Sequence, residues 1–276
     1  MLIDSHCHLN FNELYDNIDY YISEMKTHDV GYAVCIGTRP DNLKRVVSIA
    51  DTYPNIFATV GIHPDEKLDT VITKSDLECF LSHPKVIGIG ETGLDYYDHN
   101  TSTQIDATIH DFKWQHDRFR LHIEVATKNH LPLIIHTRKS FSDTIAILKE
   151  YDLSNTKVVM HCFTENIENA KICIDLGFYI SISGIVTFKN ATSVQEMANF
   201  VPLKQMLIET DAPFLAPVPY RGKLNHPALV SHTALFLSKL KNIPLDELAN
   251  QTTKNFLDIF TKAHQFIKQN TSPIET

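Results

Sequence analysis

A single α/β domain in which eight strands alternate with helices and close as a (β/α)8 barrel is the fold class the sequence predicts. Three observations predict it. Eight short apolar runs recur along the chain, each closed by a polar residue or glycine and followed by a longer stretch with helical spacing. The runs are continuously apolar rather than alternating, as expected for strands of a parallel sheet covered on both faces. The length of 276 residues, 43% hydrophobic and 21% charged, fits one barrel, because α/β barrels commonly reach this size as one domain. An open doubly wound sheet needs no eighth strand and usually begins with a glycine-rich turn. The nearest stretch, "GETGLD", lacks the dinucleotide-binding spacing.

In chain order the strands read "MLID", "YAVCIG", "IFATVGIHP", "VIGIGETGLD", "PLIIHTR", "KVVMHCF", "FYISISG" and "QMLIETDAP". The first leads into "DSHCHL". A strand turns alternate side chains to one face, so His6 and His8 point the same way and Cys7 the other. Two adjacent imidazoles can begin a metal site, yet with 15 His in 276 residues about one such pair arises by chance. The clearest helical pattern runs from about Gln104 to Asn129, with Ile109, Phe112, His116, Phe119, Ile123 and Ala126 at three- and four-residue spacing. The last strand leads into a proline-rich loop, "APVPYRGKLNHPA". The stretch "LDELANQTTKNFLDIFT" then forms a final helix, expected to pack on the outside of the barrel through Leu248, Phe256, Ile259 and Phe260. The domain is expected to span 1–265 and residues 266–276 to form a disordered tail.

Barrels of this kind carry their chemistry at the C-terminal ends of the strands. The first strand ends in His6 and His8, the third in His63, the fourth in Glu91 and Asp95. The fifth ends in His136 and Arg138, the sixth in His161, the eighth in Asp211. Nitrogen and oxygen donors without thiolate suit Zn2+, Mn2+ or Mg2+. A glutamate central to such a ring can bridge two cations, which would hold a hydroxide and clamp both oxygens of an in-line displacement; an aspartate beside that water can act as base. Plainer alternatives stand beside these roles. His63 precedes a proline and could cap a turn, and Asp95 could hold its loop. Arg138 and Arg221 could be solvated or paired to carboxylates rather than gripping a phosphate with their forked guanidinium groups. Cys162 is expected to face away from the site and pack. Histidines such as His28, His110, His116, His130 and His264 are expected on helix surfaces or in the core.

The formal charge of −8 and a pI of about 6.0 exclude a tight, non-specific duplex-coating protein, but not an enzyme that touches a few phosphates. Five cysteines without a C-x-x-C pair read as free thiols in a reducing cytosol. The chain has no apolar run of membrane-spanning length and no signal pattern, so a cytoplasmic location is expected.

Together, "DSHCHL", "GIHP", "IGETGLDYY", "LPLIIHTR", "HCFT", "ISISGIVTFKNA", "ETDAPFLAP" and "YRGKLNHP" resemble the TatD-type deoxyribonucleases, metal-dependent hydrolases of the amidohydrolase superfamily. The resemblance runs in order from Asp4 to Pro227 and on into the C-terminal helix. It implies a TIM-type barrel, two divalent metal ions, and hydrolysis of DNA phosphodiesters, commonly 3′-to-5′ on single strands. By position it implies that His6 and His8 hold one ion with Asp211 beside it, that Glu91 bridges, and that His136 and His161 complete the second site. Asp211 would position or deprotonate the attacking water, and His63 and Arg221 would line the substrate cleft. The sequence departs from the family pattern at Lys139 and Ser140, which stand where the family has Asp-Ala. It departs again at Leu224 and His226, which replace a basic and an acidic residue. Both departures bear on substrate more than on metal. Single-stranded DNA is thus the expected substrate, with stacking on Tyr96, Tyr97, Phe163 or Phe188. No membrane and no obligate protein partner are expected. The alternative is a C–N or ester hydrolase of the same superfamily acting on a small molecule. Many binuclear members bridge their metals with a modified lysine where this chain has Glu91, which favours the nuclease branch. A purely structural metal site would be closed by its ligands, unlike a ring at an open barrel mouth.

Overall fold

The apolar runs form the eight parallel strands of a barrel, as the sequence predicts. The computed structural model describes residues 1–98, 103–104 and 112–271. The barrel strands are β1 (Leu2–Cys7), β2 (Val30–Ile36), β3 (Ile56–Val60), β4 (Val86–Asp95), β7 (Leu133–Arg138), β8 (Val158–Met160), β9 (Tyr179–Ile182) and β10 (Met206–Ile208), hydrogen-bonded in that order. A small antiparallel pair, β5 (Tyr97–Asp98) and β6 (Thr103–Gln104), follows β4 outside the barrel. The barrel closes at its mouth. The Asp211 N–H donates to the His6 carbonyl at 2.9 Å, and the His8 N–H to the Ala212 carbonyl at 2.7 Å. The closing seam therefore lies beside the first and last groups of candidate ligands.

Alternation along the strands separates two cores. One side chain of each pair faces the surrounding helices. The other belongs to a cluster shared by seven strands: Ile3, Val34, Ile36, Phe57, Ile87, Ile134, Val159 and Leu207. A cluster common to so many strands is the inside of the barrel near the strand starts. The last helices complete it. Phe256, Ile259, Phe260 and Ala263 join the inner cluster, while Leu248 packs in the outer core. The helix Leu245–Ile259 was expected on the outside, but its C-terminal end plugs the bottom of the barrel. Short strands leave that end open, and burying each phenylalanine there contributes about 1.5–3 kcal/mol.

Two further boundaries differ from expectation. The long helix covers Lys113–Asn129; Gln104, expected at its start, pairs with Tyr97 in the small hairpin, and Ile109 and His110 lie outside the described residues. Phe119, Ile123 and Ala126 are buried as the periodicity requires, but so are Gln115, Arg118 and His122. The helix Thr261–Thr271 continues through residues expected to be a disordered tail, and 272–276 lie outside the described residues. No helix among the described residues is long and apolar enough to cross a membrane.

The stretch "GETG" sets how closely β4 approaches its neighbour. A Cβ on Gly93 would lie 2.0 Å from the His136 carbonyl oxygen, and one on Gly90 would lie 2.7 Å from Ile134 Cβ. Both glycines have positive φ, at 136° and 153°, where a side chain is strained. Bare backbone here lets β4 and β7 lie close enough to present Glu91 and His136 side by side.

Candidate metal centre

The site begins at the seam. Asp4, fully buried, accepts hydrogen bonds from the Thr210 N–H at 2.9 Å, the Thr210 hydroxyl at 2.6 Å and the His6 N–H at 3.3 Å. Its oxygens are committed to joining the chain before His6 to the chain before Asp211. Cys7 points away, its thiol donating to the Val34 carbonyl at 3.2 Å.

His6 and His8 converge, their Nε2 atoms 3.3 Å apart. Glu91 Oε2 lies 3.4 Å from His6 Nε2 and 3.9 Å from His8 Nε2; Asp211 Oδ1 lies 3.6 and 3.3 Å from the same two atoms. The other Glu91 oxygen faces a second set. Oε1 lies 2.9 Å from His136 Nδ1, 2.8 Å from His161 Nε2 and 3.5 Å from His63 Nε2. One buried carboxylate thus divides its two oxygens between two groups of histidines. Four sets of side chains have donor atoms close enough to share an ion: His6/His8/Glu91, His6/His161/Asp211, Glu91/His136/His161 and His63/Asp95/His136. Their imidazole and carboxylate donors fit divalent cations such as Zn2+, Mn2+ or Mg2+.

The outer nitrogens differ between the two groups. His136 Nε2 donates to Asp95 Oδ2 at 3.1 Å and His161 Nδ1 to Glu209 Oε1 at 3.2 Å. His6 Nδ1 and His8 Nδ1 are buried without a hydrogen-bond partner among the described residues. Asp95 therefore does what its plainer alternative proposed, and more: it takes the Tyr97 N–H at 2.8 Å and also orients His136. Sequence reasoning missed Glu209, although "IETDAP" holds the signal, since Glu209 and Asp211 are two residues apart.

The charges are interlocked. Burial opposes ionisation of Glu91, but His161, His63 and His136 outweigh it and hold the carboxyl well below its usual range. Burial also disfavours charged His136, yet Asp95 and Glu91 raise it to about 9; His161 is likewise raised by Glu91 and Glu209. Burial, reinforced by His161, lowers His6, while Asp211 is held low against burial by the hydrogen bond with His8. The protons favoured on His136 and His161 lie against the same Glu91 oxygen that a cation would use. Divalent cations can replace them.

A pocket of about 770 Å3 opens over the ring. Its lining includes the carboxylates of Asp65, Glu66, Glu91, Asp95 and Asp211 against the arginines Arg39 and Arg138. Arg39 pairs with Glu66 at 2.7 Å, while Arg138, exposed at the rim, lies 3.5 Å over the Tyr97 ring. His63 lines the pocket with Nδ1 bonded to Asp65. Its loop is fastened from the long helix: Arg118 donates to the His63, Pro64 and Glu66 carbonyls, and His122, kept neutral by burial with a pKa of about 4, accepts the Ile62 N–H. Arg221 lies apart, over Phe188 at 4.4 Å, and does not line the pocket. Cys162, expected to face away, lines it and donates to Ser183 Oγ; it follows the end of β8 in a left-handed conformation, where strand alternation no longer applies. Tyr96 and Phe163, offered as stacking surfaces, are buried. Of the departures from the family pattern, Ser140 ties β7 to β4 by donating to the Leu94 carbonyl at 2.7 Å. Lys139 and Leu224 are exposed, and His226 packs on Tyr21 at 5.2 Å.

Comparison with known proteins shows the family and the fold. The family described as TatD related DNase matches residues 3–261. The chain is similar to an uncharacterized metal-dependent hydrolase of Buchnera aphidicola subsp. Baizongia pistaciae, 40% identical over 268 residues, 96% of this chain and 98% of that one. It is also similar to the uncharacterized metal-dependent hydrolase YcfH of Escherichia coli K12, 38% identical over 262 residues, 94% and 95% of the two chains. The crystal structure of YJJV, a TatD homolog from Escherichia coli K12, superposes with a TM-score of 0.84 at 26% identity, covering 94% of this chain and 98% of that one. The chain belongs to the TatD-related DNase family of metal-dependent hydrolases.

Proposed function

We propose that this protein hydrolyses DNA phosphodiester bonds with two divalent ions, drawn from Mg2+, Mn2+ or Zn2+, acting as a 3′-to-5′ exonuclease on single strands in the cytoplasm. The observation that carries the reading is the division of Glu91, one oxygen toward His6 and His8 and the other toward His136 and His161. That arrangement suits a carboxylate shared by two ions. The charge balance supports it: five carboxylates outnumber two arginines and the protonated His136 and His161, so the pocket holds no net positive charge for a phosphate, and two divalent ions would supply it. The polarity and strand preference rest on the family resemblance. Five free thiols fit a reducing compartment.

In this reading His6 and His8, with Asp211 beside them, hold one ion; His136 and His161 hold the other. Bound cations supply Lewis acidity toward the phosphate and acidify a water molecule. Asp211 accepts the proton of the attacking water; in the metal-free protein its carboxyl is held below the usual range, against burial, first by the hydrogen bond with His8. Asp95 and Glu209 fix the rings of His136 and His161 by holding their outer nitrogens. His63 and Arg138 face the substrate from the pocket wall. Arg221, turned onto Phe188, meets only parts of a strand that reach beyond the pocket.

Metal-stripped protein is expected to leave end-labelled single-stranded DNA intact and to shorten it from the 3′ end once Mg2+, Mn2+ or Zn2+ is restored. Intact DNA with all three ions, alongside turnover of small amides or esters, would replace this reading with the C–N or ester hydrolase. A second prediction isolates Glu209. Glu209→Gln keeps the shape but removes the charge behind His161, and is expected to weaken metal binding roughly 10- to 100-fold by calorimetric titration. Unchanged affinity would reduce Glu209 to a packing residue.

A further inference from the structure

We propose that Phe214 and Phe11 form a stacking platform for the unpaired nucleobase next to the scissile phosphate; the proposal rests on the nuclease reading and adds to it the subsite that recognises a single strand. Phe214 is 52% exposed, an unusual state for a phenylalanine, and it lines the same pocket as the candidate metal ligands. Phe11 stands between it and the metal centre. The Phe11 ring stacks on His8 with centroids 4.8 Å apart and meets Phe214 edge-on at 6.0 Å. A continuous row of rings thus leads from a candidate ion ligand to the rim.

The platform is also held in place. The Phe214 N–H donates to the Asp211 carbonyl at 3.0 Å. Asn225, fully buried, donates to the Phe214 carbonyl at 2.6 Å and to the Thr210 carbonyl at 2.9 Å. The Phe214 backbone is therefore fastened to that of Thr210 and Asp211, so the ring it carries, and a base resting on it, would be anchored close to that carboxylate. In the lining of the same pocket, Arg138 stacked on Tyr97 offers a cation to a flanking phosphate. A nucleotide has this same order of parts, with an anionic phosphate beside a flat apolar ring. The buried Tyr96 and Phe163 have no free face for it. A base inside a duplex already has both faces covered, so a platform of this kind selects single strands or frayed ends.

The test uses the metal-loaded protein and short oligonucleotides with cleavage-resistant phosphorothioate linkages, either intact or abasic at the 3′-terminal nucleotide. Phe214→Ala is expected to weaken binding of the intact oligonucleotide roughly 5- to 100-fold, with binding of the abasic one changed less than about twofold. Phe214→Tyr is expected to restore binding, and 2-aminopurine at the terminal position should change fluorescence on binding wild type but not Phe214→Ala. Equal weakening of both oligonucleotides, or no weakening of either, overturns the platform. So does a Phe214→Ala protein that differs from wild type only in oligomeric state by sedimentation, because the ring would then be covered by a second copy. Wild-type protein that neither binds nor cleaves DNA with any of the three ions would refute the nuclease reading itself. Cleavage by wild type without dependence on Phe214 refutes the platform alone.

Discussion

Replacing Glu91 with alanine is expected to abolish measurable hydrolysis, a fall on the order of 10³-fold or more in kcat, and to leave the protein with fewer bound ions. Glu91 is almost fully buried, and its oxygens face His6 and His8 on one side, His136 and His161 on the other. Its removal takes a donor from both proposed ion sites and the counter-charge that raises His161 and His136. Losing several kcal/mol of charge stabilisation corresponds to that drop in rate. Glu91→Gln should behave similarly, since an amide presents only one oxygen acceptor where two are used. Elemental analysis of the purified variants, with circular dichroism to confirm folding, separates loss of ions from loss of structure. A Glu91→Ala protein that retains two ions and the wild-type rate would remove the bridge from the mechanism.

Metal affinity is expected to rise with pH, by about tenfold per unit for each histidine that must lose a proton, and to level off near pH 9 as far as His136 is concerned. An ion must displace the protons that His136 Nδ1 and His161 Nε2 share with Glu91, while their outer nitrogens keep the protons donated to Asp95 and Glu209. Loading the metal-stripped protein in weak buffer should therefore release protons, detectable with a pH indicator. Stability of the metal-stripped protein runs the opposite way. His136 has a folded pKa of about 9 against an ordinary 6.5, so its contribution is fully present below about pH 6.5 and is lost as pH rises through about 9. Thermal unfolding with a chelator should show that decline, and saturating metal should reverse it, because a ligand bound only by the folded state stabilises it. Metal binding without proton release between pH 6 and 8 would contradict the charge arrangement described for the site.

Much of the site was legible because barrel chemistry gathers at strand ends, and six of the eight ends in this chain carry a candidate residue. Residue type and position brought forward His6, His8, His63, Glu91, Asp95, His136, Arg138, His161 and Asp211, and the family resemblance singled out six of them as ion ligands. Their partners could not be read in the same way. Whether Asp95 meets substrate or His136 depends on how the His136 ring is turned, and that follows from β4 lying close against β7 at Gly93. Glu209 escaped notice because a strand-end acid was already in hand in Asp211, and sequence does not show which acid faces which ring nitrogen. Arg221 was placed near substrate by motif, yet its guanidinium rests on Phe188. The aromatic residues expected to stack were chosen by proximity to motifs. Burial excluded Tyr96 and Phe163, and only exposure in the folded chain brings Phe214 forward.

The sequence by itself determined the barrel and the chemical kinds of donor at its mouth. Strand and helix periodicity are local properties, and residue type is independent of the fold. Tertiary structure decided everything that joins distant parts of the chain. Asp4 meets Thr210 across 206 residues, the end of the Leu245–Ile259 helix plugs the strand starts, and one carboxylate of β4 is shared among histidines from β1, β7 and the end of β8. Local pattern carries no record of such pairings, because they arise from the closure of the barrel, which turns eight separate strand ends into one site.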